Sequence, residues 1–336
     1  MIKNDISLKP YVTFGIDATA SRFAEVETLA QLRQLIDDGC FRNDPFFILG
    51  GGSNVIFSKD FQGLVVRMCN KGVEVVGQQG DDVFVEAAAG EEWDGFVRQV
   101  VSMGCFGMEC MAAIPGTVGA SPVQNVGAYG MEAKDVIHLV KAYDLNTGEL
   151  MVFDNADCEF AYRNSVFKGR LANRYVVWSV IFKLHLSYSH NVSYKALRVA
   201  LDERGIGTPD PQQLIDVVTD VRWSKLPRPE VMGSAGSFFK NPVVSYDRYE
   251  VLKREYPDLV AYETSDGYKL AAGWLIDRAG WKGRTMGNAG VYENQALVLV
   301  NRGECTADEL LRLADAIVSD VFFKFGVHLE KEAIIV

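Results

Sequence analysis

The sequence predicts a protein of the α+β or α/β class with a buried sheet. Apolar residues recur at helical spacing in residues 24–38 and 91–104, and a glycine stands at the end of each stretch. Short runs rich in β-branched residues, such as 63–68 and 83–89, alternate with these helices. The composition, with 48% hydrophobic and 23% charged residues, is that of a globular protein, and 336 residues suffice for two or three domains.

The other helices and strands are predicted from the same two signals, apolar residues at helical spacing and short runs rich in β-branched residues. Further strands are predicted at 45–49, 55–57, 73–76, 136–145, 149–153, 175–186, 296–300 and 327–336. Further helices are predicted near 193–205, 211–223, 245–256, 268–280 and 306–325. The turn Asn146-Thr147-Gly148 predicts a hairpin, and Thr306 with Glu309 forms a capping box that begins the last helix. Pro227 and Pro229 indicate a domain boundary.

Charge and composition argue against several classes of function. The formal net charge is −10, whereas a nucleic-acid partner requires a clustered basic field. No stretch is long and apolar enough to span a membrane, and the first fifteen residues lack the apolar run of a signal peptide. The six cysteines and four histidines show no metal-binding spacing. We therefore expect a soluble, cytoplasmic protein with reduced cysteines and no metal site. We also expect a monomer, although these observations do not bear on the oligomeric state.

Two glycine-rich loops are candidate binding segments. The loop Gly50–Asn54 can point successive backbone N–H groups at an anion, although a tight connection between strands explains the same residues. The second loop, 114–130, places apolar residues between its glycines, which favours a buried loop against a large flat ligand over a flexible linker. A packed irregular loop without a ligand remains the alternative. Neither loop is a phosphate loop or a dinucleotide-binding fingerprint.

Individual polar residues are weaker indications of function than the two loops. Ser237 lies in GSAGSFFKNP (233–242), where small residues allow close approach of the backbone and two phenylalanines help to exclude water. The surrounding residues do not form a nucleophile elbow, so Ser237 is a poor candidate for a base-activated nucleophile. Arg163 follows a strand-like run before an expected turn at Asn164-Ser165. Glu330 and Glu332 share one face of the predicted terminal strand, and a solvated edge is the simpler interpretation of that pattern.

Taken in order, these segments resemble one family, the UDP-N-acetylenolpyruvoylglucosamine reductases known as MurB. The motifs that carry the resemblance are TFGI (13–16), LGGGSNV, IPGTVGASPVQNVGAYG, YRNSVFK, SKLP, GSAGSFFKNP, KLAAGWLID (269–277), NQALVLV (294–300) and FGVHLEKE (325–332). Their order along nearly the whole chain makes the match specific. The length and the segment SYKAL (193–197) resemble the longer, type I form of the family.

The resemblance implies an α+β fold in which a two-part FAD-binding domain of the vanillyl-alcohol-oxidase (PCMH) type precedes a C-terminal α+β substrate-binding domain. The first flavin subdomain would comprise 1–71 with the terminal strand 327–336. The second would comprise 72–226, including the tyrosine-bearing segment 188–215, and the substrate-binding domain would comprise 227–326.

The resemblance also implies a reaction. In the family, NADPH gives a hydride to N5 of a non-covalently bound FAD, and the reduced flavin passes it to C3 of the enolpyruvyl ether of a UDP-sugar. Negative charge then moves to C2 and the carboxylate, so the reaction needs charge stabilisation and a proton at C2. Ser237 matches the proton donor of the family, Arg163 matches the arginine beside the carboxylate, and Glu332 matches the catalytic glutamate that acts with it.

The resemblance also implies which residues bind FAD and the substrate. FAD contacts are implied for Gly50, Gly51, Gly52, Ser53, Asn54, Ile114, Pro115, Gly116, Ala120, Ser121, Gly127 and Arg222. Substrate contacts are implied for Tyr129, Tyr194, Lys225, Asn241 and Gln295. No cysteine or histidine lies in a pattern that suggests a covalent flavin link.

Two departures and two alternatives accompany the resemblance. Lys331 replaces the proline of the usual Glu-Pro-Glu motif, which leaves Glu330 as a second candidate for the catalytic glutamate. Val12 stands where the family commonly has asparagine.

A sugar or alcohol oxidase of the same fold is the alternative enzyme, and Lys225 with the SYKAL segment argues against it. A catalytically inactive flavoprotein or nucleotide-sugar sensor is the alternative outside enzymes, and the joint presence of Ser237, Arg163 and Glu332 argues against that.

Overall fold

The computed structural model describes residues 2–42, 44–190 and 192–336. The chain divides into two compact units. Unit 1 comprises Met1–Ile6, Ala20–Gly52 and Phe61–Arg222. Unit 2 comprises Ser7–Thr19, Ser53–Asp60 and Trp223–Val336. Each unit is therefore assembled from segments that are far apart in the sequence.

Helices and strands alternate over the described residues. The strands are β1 Ile2–Ser7, β2 Thr19–Val26, β3 Phe46–Leu49, β4 Val55–Ile56, β5 Phe61–Met68, β6 Val73–Gln79, β7 Asp82–Ala88, β8 Gly127–Ala128, β9 Met131–Glu132, β10 Ile137–Asp144, β11 Leu150–Asp154, β12 Tyr175–His185, β13 Ser234–Ser237, β14 Val243–Val244, β15 Ala261–Thr264, β16 Gly267–Leu270, β17 Thr285–Met286, β18 Ala289–Val291, β19 Val298–Asn301 and β20 Ile334–Ile335. The helices are α1 Leu29–Asp37, α2 Trp93–Ser102, α3 Lys195–Glu203, α4 Pro211–Lys225, α5 Tyr246–Glu255, α6 Ala272–Arg278 and α7 Ala307–Phe325.

Unit 1 contains two main sheets. One has the strand order β1-β2-β5-β3, and β2 and β3 both run parallel to β5. The other is the antiparallel sheet β11-β10-β12-β7-β6, which includes the predicted hairpin with Tyr143 opposite Leu150. Helix α2 buries Trp93 and Phe96 against Phe182 of β12. The Trp93 ring meets Phe182 edge to face, and the Phe96 ring is tilted against it. This packing against β12 forms part of the core of unit 1.

Unit 2 is built around α7. Its capping box forms as predicted, since the Thr306 side chain accepts from Glu309 N and the Glu309 carboxylate accepts from Thr306 N. The buried face of α7 packs in a core with residues of β18, β19 and α6. The small sheets β13-β19-β18-β17 and β14-β16-β15 belong to the same unit. A two-stranded parallel sheet joins β20 to β4, with Ile334 opposite Val55.

Three predicted element boundaries are wrong. The helix predicted at 24–38 begins at Leu29, because the buried residues up to Val26 pair with β5 as strand β2. The helix predicted at 268–280 begins at Ala272, because residues up to Leu270 pair with β14 and β15 as strand β16. The terminal strand predicted at 327–336 is regular only at Ile334–Ile335. Several other strands were also not predicted, namely β1, β8, β9, β13, β14, β15, β17 and β18.

Candidate active site

The two glycine-rich loops pack against each other in unit 1. A Cβ atom on Gly51 would lie 2.6 Å from Cα of Gly116, and one on Gly50 would lie 2.7 Å from Oγ1 of Thr117. The backbone of Gly116 cannot yield to a side chain at residue 51, so Gly51 is required for the loops to meet, whereas the Thr117 hydroxyl beside Gly50 can rotate. Some of the glycines that were predicted to make room for a ligand therefore make room for this contact between the two loops.

The first loop also presents backbone donors. Gly52 adopts the left-handed conformation, with φ of 64°. Among the residues that the structure describes, the N–H groups of Gly51 and Gly52 have no hydrogen-bond acceptor. Consecutive N–H groups that end in a left-handed residue can form a nest for an anion such as a diphosphate. This loop thus fits the diphosphate of a dinucleotide cofactor.

The second loop is partly buried and partly accessible. Ile114 and Ser121 are buried, and the Ser121 hydroxyl donates to the carbonyl oxygen of Val118. The other residues predicted to contact FAD in this loop, Pro115, Gly116, Ala120 and Gly127, are only partly buried. These four residues are therefore accessible in part, whereas Ile114 and Ser121 are enclosed by the protein.

Arg163 lies in a two-residue turn with Tyr162, not before the turn as the sequence suggested. Ala161 and Asn164 form a β-bridge around it, and Arg163 has a left-handed φ of 54°. Its Nη2 donates to the carbonyl oxygen of Gly127 at 3.1 Å, and its Nη1 lies 3.5 Å from the carbonyl oxygen of Asn125. Backbone carbonyls of the second glycine-rich loop thus orient the guanidinium.

A cluster of aromatic and cationic side chains lies nearby in unit 1. The Tyr129 and Tyr194 rings meet edge to face with centroids 5.4 Å apart, and Tyr194 precedes the first residue of α3. Burial raises the pKa of Tyr129 to about 12, while the charge of Arg222 lowers it. Burial also lowers the pKa of the Arg222 guanidinium, and the charge of Arg163 adds to that lowering. Positive charge in this part of unit 1 suits an anionic ligand.

Ser237 ends strand β13 in unit 2. It pairs with Val298 of β19, and the preceding Gly236 has a left-handed φ of 67°. Ser237 itself is half-buried, whereas the rings of Phe238 and Phe239 are buried in the core with centroids 5.3 Å apart. The phenylalanines thus anchor the strand end that carries the hydroxyl.

Glu332 lies beside this strand end. Its N–H donates to the carbonyl oxygen of Phe238 at 2.8 Å, and Lys331 forms a bridge with Phe239. The Asn54 amide also donates to the backbone carbonyl oxygen of Glu332, at 3.2 Å. Hydrogen bonding therefore brings Ser237 and Glu332 onto neighbouring backbone segments, with Asn54 at the same place.

The prediction that Glu330 and Glu332 share one face is wrong. Glu332 is only 9% exposed. The Glu330 side chain is 74% exposed and forms an ion pair with Lys240 at 3.0 Å. The alternation of buried and exposed residues that runs from Val327 to Glu330 ends there, because Lys331 engages the backbone bridge.

Asn241 and Gln295 meet the first turn of α6. The Asn241 side-chain oxygen accepts from the N–H of Ala272 at 2.9 Å. The Gln295 side-chain oxygen accepts from the N–H of Leu297 and lies where a Cβ on Gly273 would come within 2.7 Å. Lys225 is exposed at the last position of α4.

Asn125 is a completely buried polar residue within the second glycine-rich loop that was not predicted to be functional. Its sequence signal was weak, because the neighbouring Gln124 also carries an amide in this loop of mostly small and apolar residues. Two further findings concern the described residues only. No group of three or more His, Cys, Asp or Glu side chains among them could hold a metal ion. None of their helices combines the length and apolar character that a membrane span requires.

Family models match both parts of the chain. Residues 20–154 match the FAD binding domain, and residues 228–336 match the C-terminal domain of UDP-N-acetylenolpyruvoylglucosamine reductase. The UDP-N-acetylenolpyruvoylglucosamine reductase of Bdellovibrio bacteriovorus is 46% identical over 333 residues, which cover 99% of both chains. That of Pseudomonas syringae pv. syringae is 45% identical over 98% of both chains.

Solved structures show the same fold. The crystal structure of a UDP-N-acetylenolpyruvylglucosamine reductase (MurB) from Thermus caldophilus aligns with a TM-score of 0.70 at 22% identity, over 100% of this chain and 99% of that one. The 6-hydroxy-D-nicotine oxidase of Arthrobacter nicotinovorans aligns with a TM-score of 0.54 at 12% identity, over 98% of this chain and 86% of that one. The predicted α+β class with an FAD-binding domain is confirmed.

Proposed function

Since the chain belongs to the family of UDP-N-acetylenolpyruvoylglucosamine reductases, FAD-dependent oxidoreductases of peptidoglycan precursor synthesis, we propose that it reduces UDP-N-acetylglucosamine enolpyruvate to UDP-N-acetylmuramate in the cytoplasm, with NADPH as the hydride donor. The observation that carries the proposal is 46% identity over 99% of both chains to a relative of that name.

The residues of unit 1 fit a non-covalently held FAD. The N–H groups of Gly51 and Gly52, which have no acceptor among the described residues, suit its diphosphate. The small, partly accessible residues Gly116, Ala120 and Gly127 suit close approach of a flat ring system. When bound, FAD supplies the hydride that reaches C3 of the enolpyruvyl group. The six cysteines are free thiols, and five of them are buried.

Addition of a hydride at C3 drives the electron pair of the double bond to C2 and into the carboxylate. Arg163 stabilises this enolate-like charge, because a guanidinium fixed by the carbonyls of Asn125 and Gly127 needs no reorganisation as the charge develops. A fixed guanidinium also holds a carboxylate in a defined orientation.

Protonation of C2 completes the reduction. Ser237 gives its hydroxyl proton to C2, a step that requires a strongly basic carbon and a site without competing water. Burial of Glu332 beside the strand end of Ser237 supports a role for this glutamate as the acid or polarising group of the family. The exposure of Glu330 and its ion pair with Lys240 favour Glu332 over Glu330.

The test follows the two half-reactions of the purified protein under anaerobic conditions. NADPH should bleach the flavin absorbance, and one equivalent of the enolpyruvyl UDP-sugar should restore it and yield UDP-N-acetylmuramate. An oxidase would instead be bleached by a sugar or alcohol and reoxidised by oxygen. An inactive flavoprotein would bind the nucleotide sugar without any change in flavin oxidation state, and either result would refute the proposal.

The mode of FAD attachment gives a first prediction. Because the flavin is held by backbone donors and packing, acid precipitation should release about one FAD per chain into the supernatant, measured by absorbance and chromatography. Substitution of Gly51 by valine should reduce the bound flavin strongly, since its side chain would meet the backbone of Gly116. Flavin that remains with the precipitate would contradict non-covalent attachment.

Tyr194 gives a second prediction. It is 41% exposed and its ring meets that of Tyr129 edge to face. The family resemblance implies that it contacts the substrate. Tyr194→Phe should keep the ring contact and weaken binding of the UDP-sugar, by about 1 kcal/mol for a lost hydrogen bond, or roughly fivefold in Kd. Calorimetric titration measures this change. Reduction of the flavin by NADPH should stay near normal, and an equal loss in both would contradict a substrate-binding role.

A further inference from the structure

Asn125 is a completely buried amide in an unusual backbone conformation. Its exposure is 0%, and its φ is 48°. Asparagine enters the left-handed region more readily than most residues with a side chain. A buried amide is costly unless its hydrogen bonds are made. The partners of Asn125 therefore show what it holds in place.

The side chain of Asn125 joins three segments of unit 1. Its Nδ2 donates to the Glu132 carboxylate at 2.9 Å and to the carbonyl oxygen of Ala161 at 3.1 Å. Its Oδ1 accepts from the N–H of Lys134 at 3.0 Å. The amide thus ties the second glycine-rich loop to the residues after β8 and to the turn at 161–164.

Arg163 lies within that turn. Ala161 and Asn164 exchange two backbone hydrogen bonds, of 3.0 and 3.1 Å, around it. The side chain of Asn125 holds the first residue of the turn, and the backbone carbonyl of Asn125 faces the guanidinium at its end. One residue therefore fixes both the backbone that carries Arg163 and the direction of its side chain.

We propose that Asn125 is a positioning residue that aims the Arg163 guanidinium at the carboxylate of the enolpyruvyl group, without contact to the substrate. This proposal rests on the function proposed above. A left-handed arginine persists only where its surroundings impose that conformation, and Asn125 supplies two of the constraints. Displacement of a charge-stabilising group by about 1 Å costs on the order of 10²-fold in rate.

The test uses Asn125→Gly in the FAD-loaded enzyme, because glycine keeps the left-handed conformation and removes only the side chain. Asn173→Gly is the matched control, since Asn173 has a φ of 60° and is exposed. Reoxidation by the enolpyruvyl sugar should fall on the order of 10²-fold in Asn125→Gly. Reduction by NADPH and the flavin content should stay near those of the wild type. The control should change neither half-reaction.

A double-mutant cycle with Arg163→Ala separates positioning from general damage. If Asn125 acts through Arg163, Asn125→Gly should cost little further reoxidation rate in the Arg163→Ala background. Additive losses, or equal losses in both half-reactions, would overturn the proposal. If Arg163→Ala alone reoxidises normally, the role of Arg163 fails first, and that result is distinct from a normal rate in Asn125→Gly alone.

A milder change covers the case in which Asn125→Gly does not fold. Glu132→Ala removes one acceptor of the Asn125 amide and leaves its bond to Ala161. It should produce a smaller loss that is again confined to reoxidation, together with weaker calorimetric binding of the sugar to the oxidised enzyme. A folded Glu132→Ala enzyme with normal reoxidation and normal binding would overturn the proposal.

Discussion

Ser237→Ala should reduce the rate of flavin reoxidation by the enolpyruvyl sugar by roughly two to four orders of magnitude, the usual contribution of a positioned general acid. Hydride transfer from NADPH involves no proton at C2, so the variant should still be bleached by NADPH at a near-normal rate. Stopped-flow records of flavin absorbance measure the two half-reactions separately. A variant that reoxidises as fast as the wild type would show that the proton comes from another group.

Ser237→Cys distinguishes a chemical role from a structural one. A thiol is a stronger acid of similar size, so the cysteine variant should recover part of the rate that alanine loses. If the side chain only supports the end of β13 after the left-handed Gly236, the smaller alanine should be tolerated better than cysteine. Equal unfolding temperatures of the two variants would confirm that the comparison concerns chemistry.

Glu332→Gln should slow reoxidation by on the order of 10²-fold or more, because the amide cannot donate or polarise as the carboxyl group does. Glu330→Gln is the matched control on the same segment. It removes an exposed ion pair with Lys240, and such pairs contribute little to stability. We therefore expect near-normal reoxidation from the control. If Glu330→Gln were the slower variant, the assignment of the catalytic glutamate would be reversed.

Local sequence patterns predicted an element correctly where the pattern fits only one kind of secondary structure. The helix α7 begins at its capping box, and the hairpin of β10 and β11 turns at Asn146-Thr147-Gly148, because both signals lie within a few neighbouring residues. The segment up to Val26 has apolar residues that fit either a helix or a strand. Only pairing with β5, about 40 residues away, decides between them. The capping box of Thr28 and Gln31 marks the true start of α1.

In the candidate site, too, local sequence patterns predicted some features, whereas others depend on contacts between distant residues. Composition alone singled out the glycine-rich loops, yet it did not show that Gly51 is needed for contact with Gly116. Alternation placed Glu330 and Glu332 on one face, whereas the bridge between Lys331 and Phe239 sets their different burial. The role of Asn125 depends on hydrogen bonds to residues up to 36 positions away, and no local pattern reports these.

The pairing of β20 with β4 affects how the chain folds during its synthesis. Ile334 pairs with Val55, and the Asn54 amide reaches the carbonyl of Glu332, across 278 residues of sequence. Contacts of such separation are slow to form, because a long loop must close before they contribute. During synthesis, Val55 leaves the ribosome long before its partner strand is made. The segment that carries Glu332 therefore docks only after residues 332–335 have been synthesised, and a nascent chain halted before residue 330 lacks this part of unit 2.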